Sequence, residues 1–316
     1  MTRIAVVGAG AIGGFLAAAL AKSGARVAVV ARGAHLNAIQ RDGLRVRSDL
    51  GEFTAHVEAS DDLRELGAFD ALLLTFKAHQ WPSLLAQLEA APGNPAIVTL
   101  QNGLPFWYVR NPPLHSVDPG GTIGRVFGDD RVIGGVVHVS GHIAEPGVIA
   151  QSGGLRYVLG APRGGTNAGV EALAALFRRA GLAAEVDENV RATIWLKLVN
   201  NAGLNPVSVM RRISIKPMLA DPEARAQVHA LMCEALSVGQ AMGAVSDVDV
   251  DERIAYAARL ADVKTSMLQD YEHGRALELD PIVGVLIELA ERYDIAVPRL
   301  RDAYAQLKPF AAGARR

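Results

Sequence analysis

Three polar side chains at a constant interval, Lys197, Asn201 and Asn205, interrupt an otherwise apolar stretch running from Trp195 to Asn205, with Pro206 behind it. At about 100° per residue, a spacing of four puts them on one helix face, each a turn from the next. Leu196, Leu198, Val199 and Leu204 fill the remainder as in a buried helix. An ammonium and two carboxamides under apolar cover cost free energy unless something pairs with them. The plain alternative is the wet side of an amphipathic helix. A solvated face, however, normally carries Glu, Arg and Gln, and this stripe offers two amides and no acid. The pattern therefore points to a helix lining a polar cleft, one that presents a cation and two amides to a ligand.

The chain opens with elements suited to supplying such a ligand. Arg3–Val7 is a short β-branched run, read as a buried strand, and it feeds Gly8-Ala-Gly10-Ala11-Ile12-Gly13-Gly14 and a helical pattern through Leu16, Leu20 and Ala21. This is G-x-G-x-x-G with a strand before it and a helix after it. Gly8 allows the tight turn, Gly10 lets backbone approach a pyrophosphate, and Gly13 lets helix and strand pack closely. The amides of Ala11 and Ile12 at the helix N-terminus then face the phosphates. A second strand, Arg26–Ala31, ends at Arg32-Gly33. An NAD site places an acid here for the ribose 2′-hydroxyl, yet no Asp or Glu occurs between Gly13 and Arg41. Arg32 offers instead a cationic fork suited to a 2′-phosphate, which predicts NADPH over NADH. A surface residue at a strand end is the bland reading of Arg32, but it leaves the missing acid unexplained.

Further buried strands, Asp70–Thr75 and Ala96–Leu100, end at Lys77 and at Asn102-Gly103. Ligands of open α/β sheets lie off the carboxyl ends of strands, so Lys77 and Asn102 fall where the nicotinamide end belongs. Leu44–Arg47 and Phe53–Val57 read as a small hairpin. Residues 105–125 form an unusually aromatic loop that could be a lid, cover apolar surface or make a dimer contact. Strands follow at Arg131–Ser140, Gly147–Gln151 and Arg156–Leu159, then a helix at Asn167–Ala180 and a strand near Ala184–Val186. From Asp187 onward the pattern is helical, with helices at Pro222–Met242, Val250–Val263, Pro281–Tyr293 and Pro298–Leu307. Asp249, Asp280, Pro281 and Pro298 mark helix starts, and the tail 311–316 is expected to fray. The predicted organisation is an α/β, Rossmann-type dinucleotide-binding domain over 1–187 and an all-α substrate domain over 188–316.

Composition bounds the rest. The 316 residues are half apolar and carry a formal net charge of −1, without basic clusters, so no footprint for nucleic acid or an anionic membrane is present. The one cysteine, Cys233, has no intrachain partner, which suits a reducing compartment. The apolar run Ile4–Ala21 lacks the charged leader of a signal peptide, and no stretch is long and apolar enough to span a bilayer. A cytoplasmic protein is expected. No spacing resembles a metal site, and His79 and His138 read as surface or strand polar groups.

Together the opening glycines, Arg32, Lys77, Asn102-Gly103, the Lys197/Asn201/Asn205 stripe, Ser266-Met-Leu-Gln-Asp270 and Glu278 occur in the order found in ketopantoate reductases (2-dehydropantoate 2-reductases). The chain resembles that family over nearly its whole length. The resemblance implies a Rossmann domain and a helical domain with the active site between them. It implies that Lys197 protonates the keto oxygen of a 2-oxo acid as NADPH delivers hydride, and that Glu278 holds the ammonium. Burial and a nearby anion push the lysine pKa in opposite directions. Asn201 and Asn205 would bind the hydroxyl and carbonyl end, Ser266 the carboxylate, and Asn102 and Lys77 would line the nicotinamide side. Taken singly, Ser266 and Glu278 read as helix or turn caps. The family usually follows its glutamate with Asp-Tyr-Ile-Asn-Gly; here Asp280-Pro-Ile-Val283-Gly284 stands instead, and the loop after Gly103 is longer. Both departures bear on which 2-oxo acid is reduced. A reductase of another 2-oxo acid, or an NADPH-sensing protein without turnover, are the rival readings. A homodimer is compatible with the pattern but not demanded by it.

Overall fold

The structure, a computed structural model, describes residues 2–246, 248–259 and 262–313. The chain forms two compact units, one of Met1–Gln101 and Ile123–Val190, the other of Asn102–Thr122 and Arg191–Arg316. The division differs from one at 187/188 chiefly in one respect: the aromatic segment 102–122 groups with the helices that follow it in sequence.

Among the described residues of the first unit ten strands join one sheet: β1 (Arg3–Val7), β2 (Arg26–Val30), β3 (Leu44–Ser48), β4 (Gly51–Ala55), β5 (Glu58–Ser60), β6 (Ala71–Leu74), β7 (Ala96–Thr99), β8 (Val132–Glu145), β9 (Val148–Gly160) and β10 (Ala183–Val186). Strands β5-β2-β1-β6-β7-β8 run parallel in that order, the doubly wound arrangement whose order reverses beside β1. Continuous apolar runs suit strands covered on both faces, and Ile4, Val6, Leu72 and Leu73 are fully buried. Helices α1 (Ala11–Lys22), α2 (Gly33–Asp42), α3 (Trp81–Glu89), α4 (Thr122–Val126) and α5 (Ala168–Arg179) accompany the sheet. Two strands expected over 147–151 and 156–159 are one strand. Through the intervening Ser152-Gly-Gly154, β9 continues against β8, with register shifts on either side of Ser140. A Cβ on Gly154 would meet the His138 carbonyl at 2.2 Å, so glycine allows the strands to stay paired there.

Helices of the second unit are α6 (Val190–Arg211), α7 (Ile215–Ala220), α8 (Pro222–Ala241), α9 (Val250–Arg259), α10 (Ser266–Glu272), α11 (Val285–Arg292) and α12 (Pro298–Leu307). Helix α6 runs through Pro206 to Arg211, although proline gives up its backbone hydrogen bond and disfavours helix before it. Packing overrides that cost. Trp195 is wholly buried and donates its indole N–H to the Ala235 carbonyl at 3.2 Å. A Cβ on Gly239 would stand 2.1 Å from the same indole, and one on Gly203 2.5 Å from Met232. Helices α6 and α8 thus meet closely, with Trp195, Val199 and Ala202 buried and Lys197 and Asn201 half-buried. Asp249 caps α9 through the amides of Asp251 and Glu252. The extension of α9 towards Val263 crosses residues 260 and 261, outside the described set, as do 314–316 of the expected fraying tail.

The aromatic segment covers apolar surface of its own chain. Phe106, Trp107 and Tyr108 are buried, with Tyr108 5.8 Å from Trp195 between ring centroids. Helix α11 staples the loop: the Glu288 carboxylate accepts the amides of His115 and Ser116 at 2.8 and 2.9 Å, and Arg292 donates to the carbonyls of Pro112 and Pro113, both at 2.7 Å.

Candidate active site

The glycine turn and the polar stripe sit in different units, and each has its own geometry. In the first unit, Gly8 has φ +102°, and a Cβ there would meet the Phe76 amide at 2.7 Å. At Gly13 a Cβ would stand 2.1 Å from the Gly8 carbonyl and 2.3 Å from the Thr75 hydroxyl. That hydroxyl donates to the Gly8 carbonyl at 2.8 Å, pinning the turn to the end of β6. Gly10 is different. Its φ of −66° suits any residue, and nothing lies within 4 Å of where its Cβ would be. Neither strain nor packing requires glycine at position 10, so the space it leaves is room for something outside the chain. Beside it, α1 begins with no side-chain cap and no acid in its first turn. The amides of Ala11, Ile12 and Gly13 lack helical partners, as at any helix start. Amide donors, dipole and open space together fit a pyrophosphate.

Arg32 lies two residues beyond β2, directly before α2, is exposed, and donates from Nη2 to the Ser83 hydroxyl at 3.4 Å. Its guanidinium is a cationic fork suited to an anion. The Lys77 amide donates to the Gln80 side chain at 3.0 Å, and the Gln80 amide to the Lys77 carbonyl at 2.8 Å. Gln101 donates to the Phe76 carbonyl at 2.8 Å, tying the ends of β6 and β7 together. Thr75, Gln80 and Gln101 are supports that sequence reasoning does not single out; Thr75 and Gln101 follow strand ends, the one signal available for them, and Gln80 lies directly ahead of α3.

In the second unit, Lys197, Asn201 and Asn205 share one face of α6. Burial pulls the Lys197 ammonium down to about 8, and the Glu278 carboxylate opposes that shift without overcoming it. Lys197 keeps some accessible surface, so its desolvation comes from the density of protein around the ammonium rather than from complete enclosure. Glu278 is buried, and Asn102 donates from Nδ2 to it at 3.4 Å. Asn102 is held there by its neighbours: the Leu104 amide donates to the Pro281 carbonyl at 2.9 Å. Gly103, at φ +82°, has Pro281 so close that a Cβ would fall 2.4 Å from its carbonyl oxygen. Lys197, Glu278 and Asn102 therefore form one cluster.

Asn205 is 4% exposed, and its Nδ2 has no hydrogen-bond partner. A buried orphan donor costs about 1–3 kcal/mol, a cost that a ligand acceptor would remove. The Ser208 hydroxyl donates to the Asn205 carbonyl at 2.8 Å and lies 2.6 Å from the Thr265 hydroxyl. Thr265 in turn caps α10 through the Leu268 amide. Ser266 is not the cap: it is the first helical residue and is exposed. Val283 is fully buried in the wide π-helical turn Asp280–Gly284 that leads into α11. Thr265 could have been found as a capping residue ahead of Met267-Leu268; a serine inside a helix, such as Ser208, leaves no such signal.

Among the described residues, no group of three or more His, Cys, Asp or Glu side chains could hold a metal ion, and no helix is long and apolar enough to cross a membrane.

Comparison with known proteins bears on both units. The family description "Ketopantoate reductase PanE/ApbA" matches residues 4–164, and its C-terminal counterpart matches residues 189–311. A 2-dehydropantoate 2-reductase from Mesorhizobium japonicum is 39% identical, covering 98% of each chain. The crystal structure of 2-dehydropantoate 2-reductase from Geobacter metallireducens superposes with a TM-score of 0.87 at 30% identity, over 97% of this chain and 99% of that one. D-mandelate dehydrogenase, solved with NADH and anilino(oxo)acetate, shares the fold at a TM-score of 0.85 and 21% identity, with 98% of each chain covered. The chain belongs to the ketopantoate reductase family, oxidoreductases acting on a CH–OH group.

Proposed function

We propose that the chain reduces 2-dehydropantoate (ketopantoate) to pantoate with NADPH, Lys197 being the general acid, and so serves pantothenate biosynthesis in the cytoplasm. The observation that carries this reading is the Lys197–Glu278–Asn102 cluster, with an ammonium brought to about 8 by burial beside a buried carboxylate. An acid is most effective when its pKa lies near the working pH, because it is then both protonated and ready to give up its proton. NADPH supplies the hydride when bound. As the keto carbon becomes tetrahedral, its oxygen gains negative charge, and the Lys197 Nζ proton passes to that oxygen, which becomes the product hydroxyl. Glu278 keeps the amine charged before the transfer and orients it.

The remaining roles follow from chemistry and place. Gly8, Gly10, Ala11, Ile12 and Gly13 would hold the pyrophosphate, Arg32 the 2′-phosphate, and Lys77 and Asn102 the nicotinamide side. Asn205, with its buried unsatisfied Nδ2, and Asn201 would bind the substrate's hydroxyl and carbonyl end, and Ser266 its carboxylate. The test follows NADPH oxidation at its near-ultraviolet absorbance with a panel of 2-oxo acids, wild type beside Lys197→Ala. Ketopantoate should give the fastest wild-type turnover. No substrate-dependent oxidation with any acid would favour a cofactor-sensing protein, and undiminished activity of the variant would remove Lys197 from the chemistry.

A further inference from the structure

His35 belongs to none of the roles assigned above, yet it touches the glycine turn directly. From α2 its Nε2 lies 2.7 Å from the Ala9 carbonyl oxygen, and its Nδ1 lies 2.9 Å from the Gly147 amide nitrogen. A carbonyl only accepts and an amide N–H only donates. Both contacts are therefore satisfied by one form of the ring, neutral and protonated at Nε2. Burial lowers the imidazole pKa, with the Ala9 carbonyl acting against it, so that form is favoured. Both anchors are themselves held. Gly147, at φ +79°, closes the turn between β8 and β9, and its carbonyl accepts the Arg45 amide at 2.9 Å; Ala9 donates its own amide to the Val30 carbonyl at 3.1 Å. A trans peptide directs its N–H opposite to its C=O. With the Ala9 carbonyl held towards α2, the Gly10 amide hydrogen is turned away from it.

We propose that His35 is a positioning residue for the dinucleotide turn: as the neutral Nε2–H tautomer it fixes the Ala9–Gly10 peptide so that the Gly10 amide is preset to donate to a cofactor phosphate. This rests on reading residues 8–13 as the pyrophosphate cradle. Protonation at Nδ1 would set two donors face to face at Gly147 and release the ring. The ionic groups nearby in sequence on α2 and at the hairpin tip are paired elsewhere, Arg41 with Asp42 and Arg45 with Glu145, and His35 titrates under burial and the Ala9 carbonyl.

The test is calorimetric binding of NADP⁺ to the full chain between about pH 5.5 and 8.5, for wild type, His35→Gln and His35→Phe, with thermal midpoints measured without cofactor. A glutamine amide donates and accepts across a similar span but does not titrate. His35→Gln should bind within a few-fold of wild type at pH 8 and lack the wild type's extra weakening on the acid side. His35→Phe should bind about tenfold more weakly, the worth of one hydrogen bond, and should raise KM for NADPH without changing kcat at saturation. A purely structural role would lower the midpoint of His35→Phe while leaving the pH profiles of wild type and His35→Gln superimposable; that outcome overturns the proposal, as does wild-type affinity in His35→Phe. If His35→Phe does not fold, the profile of His35→Gln decides alone. A wild-type chain that binds no dinucleotide defeats the cofactor reading itself, a failure visible before any variant is compared.

Discussion

The glycine turn and the α6 stripe are built on opposite principles. The turn is made of backbone: Gly8 and Gly13 are glycine because neighbouring atoms leave no room for a Cβ, and Gly10 because room is left for something else. Its donors are main-chain amides, fixed by β1, α1 and the Thr75 hydroxyl. The stripe is made of side chains held where they are costly, a partly desolvated ammonium, a buried carboxylate and an amide donor without a partner. A backbone site is robust and tolerates little change in shape. A side-chain site stores unfavourable burial that a ligand can relieve, so it should show activity and stability moving in opposite directions.

That contrast can be broken at several points. Lys197→Ala should lose about 10²–10⁴ in kcat and leave NADPH affinity unchanged; a matching loss of affinity would show that the halves are not separable. Among the glycines, Gly13→Ala should lower the thermal midpoint, by roughly 1–3 kcal/mol of overpacking. Gly10→Ala should keep the midpoint and lose only cofactor affinity, and equal midpoints in both variants would sink the distinction. Arg32→Asp should weaken NADPH by about 10- to 100-fold, one or two charged hydrogen bonds, and improve NADH; an unchanged preference removes the 2′-phosphate argument.

Smaller effects concern proton balance and buried polarity. The rate, kcat/KM, should fall above about pH 8 as Lys197 loses its proton. Glu278 raises that pKa, so Glu278→Gln should move the alkaline limb to lower pH; a shift the other way contradicts the assignment. For stability the sign is opposite to that of activity. Between about 8 and the unfolded value of about 10.4, the unfolded chain binds more protons at Lys197, so this group's contribution to stability rises with pH. Finally, Asn205→Leu should raise the thermal midpoint while lowering activity. Tyr157, whose buried hydroxyl also lacks a partner, packs in the first unit's core against Phe177, and Tyr157→Phe should give a small gain in midpoint with activity intact. If both substitutions left activity intact, the orphan amide of Asn205 would be a packing defect rather than part of a site.

Much of the first unit was legible because its signals are local. A β-branched run, a glycine turn and an apolar helix announce themselves within about twenty residues, and the missing acid before Arg41 is visible by inspection. The continuity of β9 through Ser152-Gly-Gly154 was not legible, because Gly154, a turn signal in isolation, serves here to let the paired strand β8 approach closely. In the second unit the i, i+4 stripe could be read from spacing, and Glu278 only from resemblance. What supports them comes from distant parts of the chain. Asn102 meets Glu278 across 176 positions, and Glu288 and Arg292 hold a loop more than 170 residues earlier in sequence.

By itself, then, the order of residues determined the identities and intervals that make chemistry possible: which face of α6 carries an amine and two amides, where the glycines fall, and that no acid stands at the end of β2. Only the tertiary structure decided what those groups experience. Whether burial or Glu278 prevails at Lys197, whether Asn205 finds a partner, and whether Ser266 or Thr265 caps α10 depend on atoms contributed by remote segments. Desolvation and hydrogen bonding are set by distances in space, which spacing along the chain does not encode.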